Sequence, residues 1–81
     1  MTMAYNITVG SYQTDTIQNF EQAHEIFVRE IERTVCYGAS KILPEVLLDK
    51  DLFKEQVRAQ VHNVGYAAIK VDGVLHELQQ L

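Results

Sequence analysis

The sequence predicts an α+β domain of two layers, an antiparallel sheet of three or four strands in ββααββ order with two helices packed on one face. Three observations lead there. Apolar residues recur at helical spacing after Asn19, they alternate at strand spacing before Gly10, and an Asp72-Gly73 pair divides two alternating runs near the end of the chain.

From Met3 to Val9, Tyr5, Ile7 and Val9 alternate with Ala4, Asn6 and Thr8, the period of a half-buried strand. Gly10-Ser11 suits a type II′ turn, returning Tyr12 to Ile17 antiparallel with Val9 opposite Tyr12, Ile7 opposite Thr14 and Tyr5 opposite Thr16. Gln13 to Thr16 reads equally as a polar loop feeding the helix.

Asn19 to Leu43 reads as one long amphipathic helix that organises the chain. At about 100° per residue, Phe20, Ala23, Phe27, Ile31, Val35, Gly38 and Ile42 share one arc, the face toward the core. Gln22, Glu25, Arg29, Glu32 and Arg33 lie opposite, with Glu25 and Arg29 at i,i+4. Asn19 and Gln22 are spaced for a capping box. Gly38 either ends the helix in a left-handed cap or lets another backbone approach, and Pro44 sets the outer limit.

Pro44 opens a short turn or helix through Leu48. Asp49 or Asp51 caps a second helix, whose stripe of Phe53, Val57, Val61 and Val64 closes at Gly65, with Lys54, Glu55, Arg58 and His62 outward. Asp72-Gly73 calls for a type I′ hairpin pairing Val71 with Val74, Ile69 with His76 and Ala67 with Leu78. That hairpin has an apolar face containing one histidine.

The chain of 81 residues is long enough for a single domain with a small core, and 47% apolar against 22% charged residues marks it as globular. Its net charge of −4 is diffuse, and without a basic cluster direct nucleic-acid binding is not expected. No run approaches the roughly 18 apolar residues of a membrane span. One cysteine, Cys36, and no charged start before an apolar run point to a cytoplasmic chain without disulfides.

Catalytic signals are weak. His24 falls within the apolar arc and reads as a packed imidazole rather than a general base, since the sequence offers it no acid or nucleophile partner. His76 can meet His24 across the core, but Cys36 lies about 120° around the helix from His24, so no metal is expected. Cys36 near a helix C-terminus is poorly placed to become a thiolate. The four glycines are isolated, so no phosphate loop exists and no cofactor is expected. The chain is therefore read as non-enzymatic, with a small enzyme using His24 or His76 as the least favoured alternative.

Apolar residues off the stripes carry the remaining signal. Ile26 and Tyr37 share an azimuth outside the core arc, and Leu52 and Ala59 lie off the second stripe, while Leu48, Leu75 and Leu81 have no assigned core partner. Ile26, Tyr37 and Leu52, with the neighbouring cations Arg29 and Arg33, form the candidate set for partner binding or self-association.

In size, mild acidity, cytosolic character and lack of motifs, the chain resembles the small inhibitors of phages and mobile elements, the anti-CRISPR proteins among them. The resemblance is one of general type and matches no motif residue by residue, so no family site carries over. It implies a protein partner within a larger bacterial defence or transcription complex, occluded stoichiometrically in the host cytoplasm. A homodimer or structural homo-oligomer, built on an exposed strand edge or on the Ile26/Tyr37 side, is the alternative.

Overall fold

A computed structural model describes residues 3–39 and 41–81. The chain folds as strands β1 (Tyr5–Val9) and β2 (Tyr12–Gln13), helix α1 (Phe20–Tyr37), a 3-10 turn (Glu45–Leu48), helix α2 (Lys50–Val64), and strands β3 (Tyr66–Val71) and β4 (Val74–Gln80). The sheet is four-stranded and antiparallel in the order β2-β1-β4-β3. Both helices cover one face of it, as the ββααββ pattern predicts. The two hairpins join through the pairing of β1 with β4, placing Ile7 opposite Leu78 and Val9 opposite His76.

The β3–β4 hairpin follows the register that its turn dictates, Val71 with Val74, Ile69 with His76 and Ala67 with Leu78. Asp72 and Gly73 both have positive φ, 50° and 77°, the requirement of a type I′ turn. In the first hairpin Val9 pairs with Tyr12 across Gly10, whose φ is 60°. Regular pairing then stops at Gln13, short of the predicted strand to Ile17. Ile7 N–H donates to the Thr14 hydroxyl at 2.9 Å rather than to a backbone carbonyl, while Thr14 N–H reaches the Ile7 carbonyl. The side chain has taken a place in the ladder, and an extra residue enters beyond it. Tyr5 consequently pairs with Ile17 instead of Thr16, through two bonds of 2.8 and 2.7 Å, and Ile17 is buried beside it.

Helix α1 starts where the cap predicts, with Gln22 N–H donating to Asn19 Oδ1 at 3.1 Å. It ends at Tyr37, six residues before the predicted limit of Leu43, although Ser40 in that interval lies outside the described residues. Gly38 is extended, with φ −83° and ψ 168°, and not left-handed. A Cβ there would overlap the Asp72 carboxylate and lie 2.8 Å from the Thr34 carbonyl oxygen. Gly38 is thus the point where the tip of the β3–β4 turn closes on the helix, and what approaches is a side chain. Lys41, at φ 54°, turns back to donate to the Cys36 carbonyl at 3.1 Å. Beyond the helix Ile42 loses its predicted place on the core arc and is 74% exposed.

Leu47 of the 3-10 turn enters the core instead. Asp49 caps α2 by accepting from Leu52 N–H at 3.1 Å, and Gly65 ends it at φ 85°, in a left-handed cap. Phe53, Val57 and Val61 are buried as the stripe predicts, but Val64, in the last turn, is exposed. Phe27 and Phe53 stack between the helices with their rings 6.2 Å apart and 11° from parallel. Ile7, Ile31 and Leu78 seal the interface between helices and sheet with no exposed surface.

Candidate interaction groove

Helix α1 has two open flanks, and they differ in chemistry. On the side of α2 a cleft of about 470 Å³ runs past Glu21, Glu25, Arg29, Glu32, Lys50 and Lys54. Its cations are matched to carboxylates. Glu21 takes Lys54 and also Arg58 at 2.7 Å, Arg29 meets Glu25 at 3.5 Å, and Lys50 meets Glu32 at 3.5 Å. The Lys54 and Arg58 hydrogen bonds hold the Glu21 carboxyl below its usual range. Arg58 also lies 4.9 Å from the centre of the Phe20 ring, so α2 closes over the start of α1 with charge and ring together.

His24 is buried beneath this cleft, against Phe20 at 6.1 Å and Phe53 at 5.8 Å. Its Nε2 has no hydrogen-bond partner among the described residues. Burial lowers its pKa, with Lys54 and Arg58 adding to the effect and Glu21 opposing it. The ring is consequently an apolar filler between two phenylalanines, in a form ill suited to carry a proton.

His76 does not join it. The ring has no exposed surface and pairs with Thr34, ten residues along α1 from His24, which is about 15 Å on the helix rise. His76 Nδ1 lies 3.0 Å from the Val74 carbonyl, which can only accept, so in the neutral ring Nδ1 carries the proton. Nε2 lies 2.7 Å from the Thr34 hydroxyl, whose single hydrogen serves either that nitrogen or the Glu30 carbonyl at 3.0 Å. Nε2 links β4 to α1, Nδ1 is taken up by the backbone of β4 itself, and the ring has no exposed surface.

The other flank of α1, toward β1 and β2, is a groove of about 470 Å³ lined by Val9, Tyr12, Glu30, Arg33, Thr34 and Tyr37. Through Thr34 and Tyr37 it continues into a second concavity of about 360 Å³ beside Gly38, Ala39, Asp72 and Val74. Tyr37 is 82% exposed and Tyr12 60% exposed. The Arg33 guanidinium has only a long contact of 4.0 Å to Glu30, its side chain being mostly in water. Two tyrosines and an arginine thus overhang a floor of Val9 and Thr34, which rests directly on the Thr34–His76 bond. Tyrosine and arginine are enriched among the side chains that dominate protein interfaces.

Of the candidate residues read from the sequence, Arg33 and Tyr37 come together here. Arg29 faces the opposite flank, and Leu52 is exposed in the first turn of α2, lining neither groove. Ile26, expected off the core arc, is half-buried and packs against the core. Tyr12 was missed, though its pairing with Val9 already placed it on the helix-facing side of the sheet. Cys36 is an exposed free thiol, and among the described residues no three His, Cys, Asp or Glu side chains are grouped to hold a metal. No helix is long and apolar enough to cross a membrane among the described residues.

No family model matches the chain, and no curated protein or solved structure matches it.

Proposed function

We propose that the protein is a non-catalytic binding module that inhibits by stoichiometric occlusion, inserting the Tyr12/Arg33/Tyr37 groove against a protein partner in a larger bacterial complex. The observation that carries this reading is the groove itself: two exposed tyrosines and a guanidinium with one long contact to Glu30, above a floor joined to the sheet by the Thr34–His76 hydrogen bond. Such side chains supply large contact area at low entropic cost, and the fixed floor limits what must be ordered on binding. The resemblance in type to small mobile-element inhibitors points to a bacterial defence complex as the target, and to the host cytoplasm as the place of action.

The test is a plaque assay in bacteria whose defence complex restricts a phage. Expression of the chain is expected to restore plaque formation, and Arg33→Glu combined with Tyr37→Asp to abolish that effect while leaving the circular-dichroism spectrum unchanged. Equal activity of the folded double variant would remove the groove from the mechanism. Failure of the wild-type chain across a panel of defence systems would turn the reading away from that target class.

A further inference from the structure

Strand β3 ends the sheet, with β4 on one side and, among the described residues, no strand on the other. The two-residue turn makes Val71 and Val74 a hydrogen-bonded pair, and alternation along the ladder gives Ile69–His76 and Ala67–Leu78 the same status. The 2.8 Å bond from Gln80 N–H to the Gly65 carbonyl continues that parity. The backbone N–H and C=O groups of Tyr66, Ala68 and Lys70 therefore point away from β4, along an open edge where all three residues are exposed. Sheet edges are ordinarily blunted by bulges, prolines, covering segments, inward charges or charged side chains on the edge itself, lysine above all. This one is regular, with Lys70 its only charged residue.

The flank beside the edge is uncharged. Two concavities lie between β3 and α2, bordered from the helix by Gln56, Gln60, Asn63 and Val64, and no Asp, Glu, Lys or Arg lines either of them. Both grooves on α1, in contrast, carry charged side chains. Depletion of charge at the centre of a contact surface is a mark of protein interfaces.

We propose that β3 pairs antiparallel with β3 of a second copy about a two-fold axis at Ala68, joining the two sheets into one. The register follows from the edge. Setting Ala68 opposite Ala68 of the second copy is the arrangement that engages all three outward-bonding residues of each strand, with about six hydrogen bonds. It places Lys70 across from Tyr66 of the second copy, stem and ammonium against a ring, and keeps the two lysines apart. The methyl groups at the axis leave the backbones free to close. Gln60, which borders both concavities together with Ala68, then faces its own copy across the axis. The groove at Tyr12, Arg33 and Tyr37 lies at the other side of the sheet, so the pairing leaves it open. Either proposal can therefore fail without the other.

The test is sedimentation equilibrium in a Cys36→Ser background, from micromolar to about 1 mM. The expected mass is twice the 9.3 kDa of the chain. Ala68→Lys, which brings like charges together on the axis, is expected to give the monomer mass with an unchanged circular-dichroism spectrum. Ala68→Pro removes an outward N–H, a substitution that an edge strand tolerates, and is expected to do the same. Should the proline variant fail to fold, the lysine variant decides. Ala68→Cys is expected to cross-link two copies on mild oxidation, because hydrogen-bonded antiparallel partners lie about 5.5 Å apart at Cα, within disulfide reach. A wild-type monomer at the highest concentration, including one whose edge takes an added extended peptide instead, would overturn the proposal. So would a dimer that persists in Ala68→Lys or resists cross-linking at position 68.

Discussion

The Thr34 hydroxyl lies 2.7 Å from Nε2 of His76, a bond that ties the last turn of α1 to the third residue pair of the terminal hairpin. It is also the underside of the groove. Thr34→Val preserves shape but leaves Nε2 of a fully buried ring without its hydrogen-bond partner, at an expected cost of about 1–3 kcal/mol in urea unfolding. Thr34→Ser keeps the hydroxyl and is expected to cost less. Adding His76→Phe to Thr34→Val is expected to recover part of the loss, since removing both polar partners is cheaper than orphaning one.

His24 behaves in the opposite sense. Its folded-state pKa lies below the ordinary histidine value because burial, reinforced by Lys54 and Arg58 on α2 against the opposing Glu21, disfavours the imidazolium. As pH falls through about 6.5 the unfolded chain takes up this proton first. Stability from this residue is thus full above that pH, declines as pH falls toward the lowered folded value, and levels off below it. His24→Leu removes the titration and the unpartnered Nε2 together. Urea midpoints at pH 8 and pH 5.5 are expected to differ less in this variant than in the wild type.

Gly38 has a steric role. Gly38→Ala is expected to destabilise by about 1–3 kcal/mol, because the Asp72 carboxylate can swing aside but the Thr34 carbonyl belongs to the helix backbone. A thermal melt checks this, and an unchanged midpoint would show that the turn docks elsewhere.

Adjacent leucines of the 3-10 turn separate core from surface. Leu47 is 5% exposed and Leu48 80% exposed. Leu47→Ala is expected to cost about 2–5 kcal/mol, and Leu48→Ala to stay within about 0.5 kcal/mol of wild type. Denaturant unfolding of the pair checks both.

Much of this architecture is legible in local chemistry. Asp72-Gly73 determines its turn, and the turn determines every pair up to Ala67–Leu78. Asn19 and Gly65 mark helix ends by what their side chain or its absence permits. Local reading fails where a distant group intervenes. At the end of α1 Asp72, far along the chain, settles against Gly38, and beyond it Ile42 is exposed while Leu47 enters the core. In the first hairpin, the Thr14 hydroxyl displaces a backbone carbonyl and shifts the pairing of Tyr5 by one residue. Periodicity counts both Thr14 and Thr16 simply as polar.

The groove was half legible for the same reason. Helical azimuth placed Arg33 and Tyr37 outside the core, but also Ile26, which the edge of the core takes in, and Arg29, which pairs with Glu25 of its own helix and lines the cleft on the α2 side. Azimuth states which way a side chain leaves a helix. It does not state which neighbouring element meets it there, and Tyr12 enters the site only once β1 and β2 are laid beside α1.

Whether inhibition is stoichiometric bears most directly on the account. The purified chain would be titrated into a fixed amount of a purified defence complex against which it restores plaque formation, with the residual activity of that complex as the readout. The account predicts a linear fall that ends at a fixed molar ratio, and no fall with Arg33→Glu/Tyr37→Asp. Complete inactivation by a small fraction of an equivalent, progressing with time, would show turnover and contradict it.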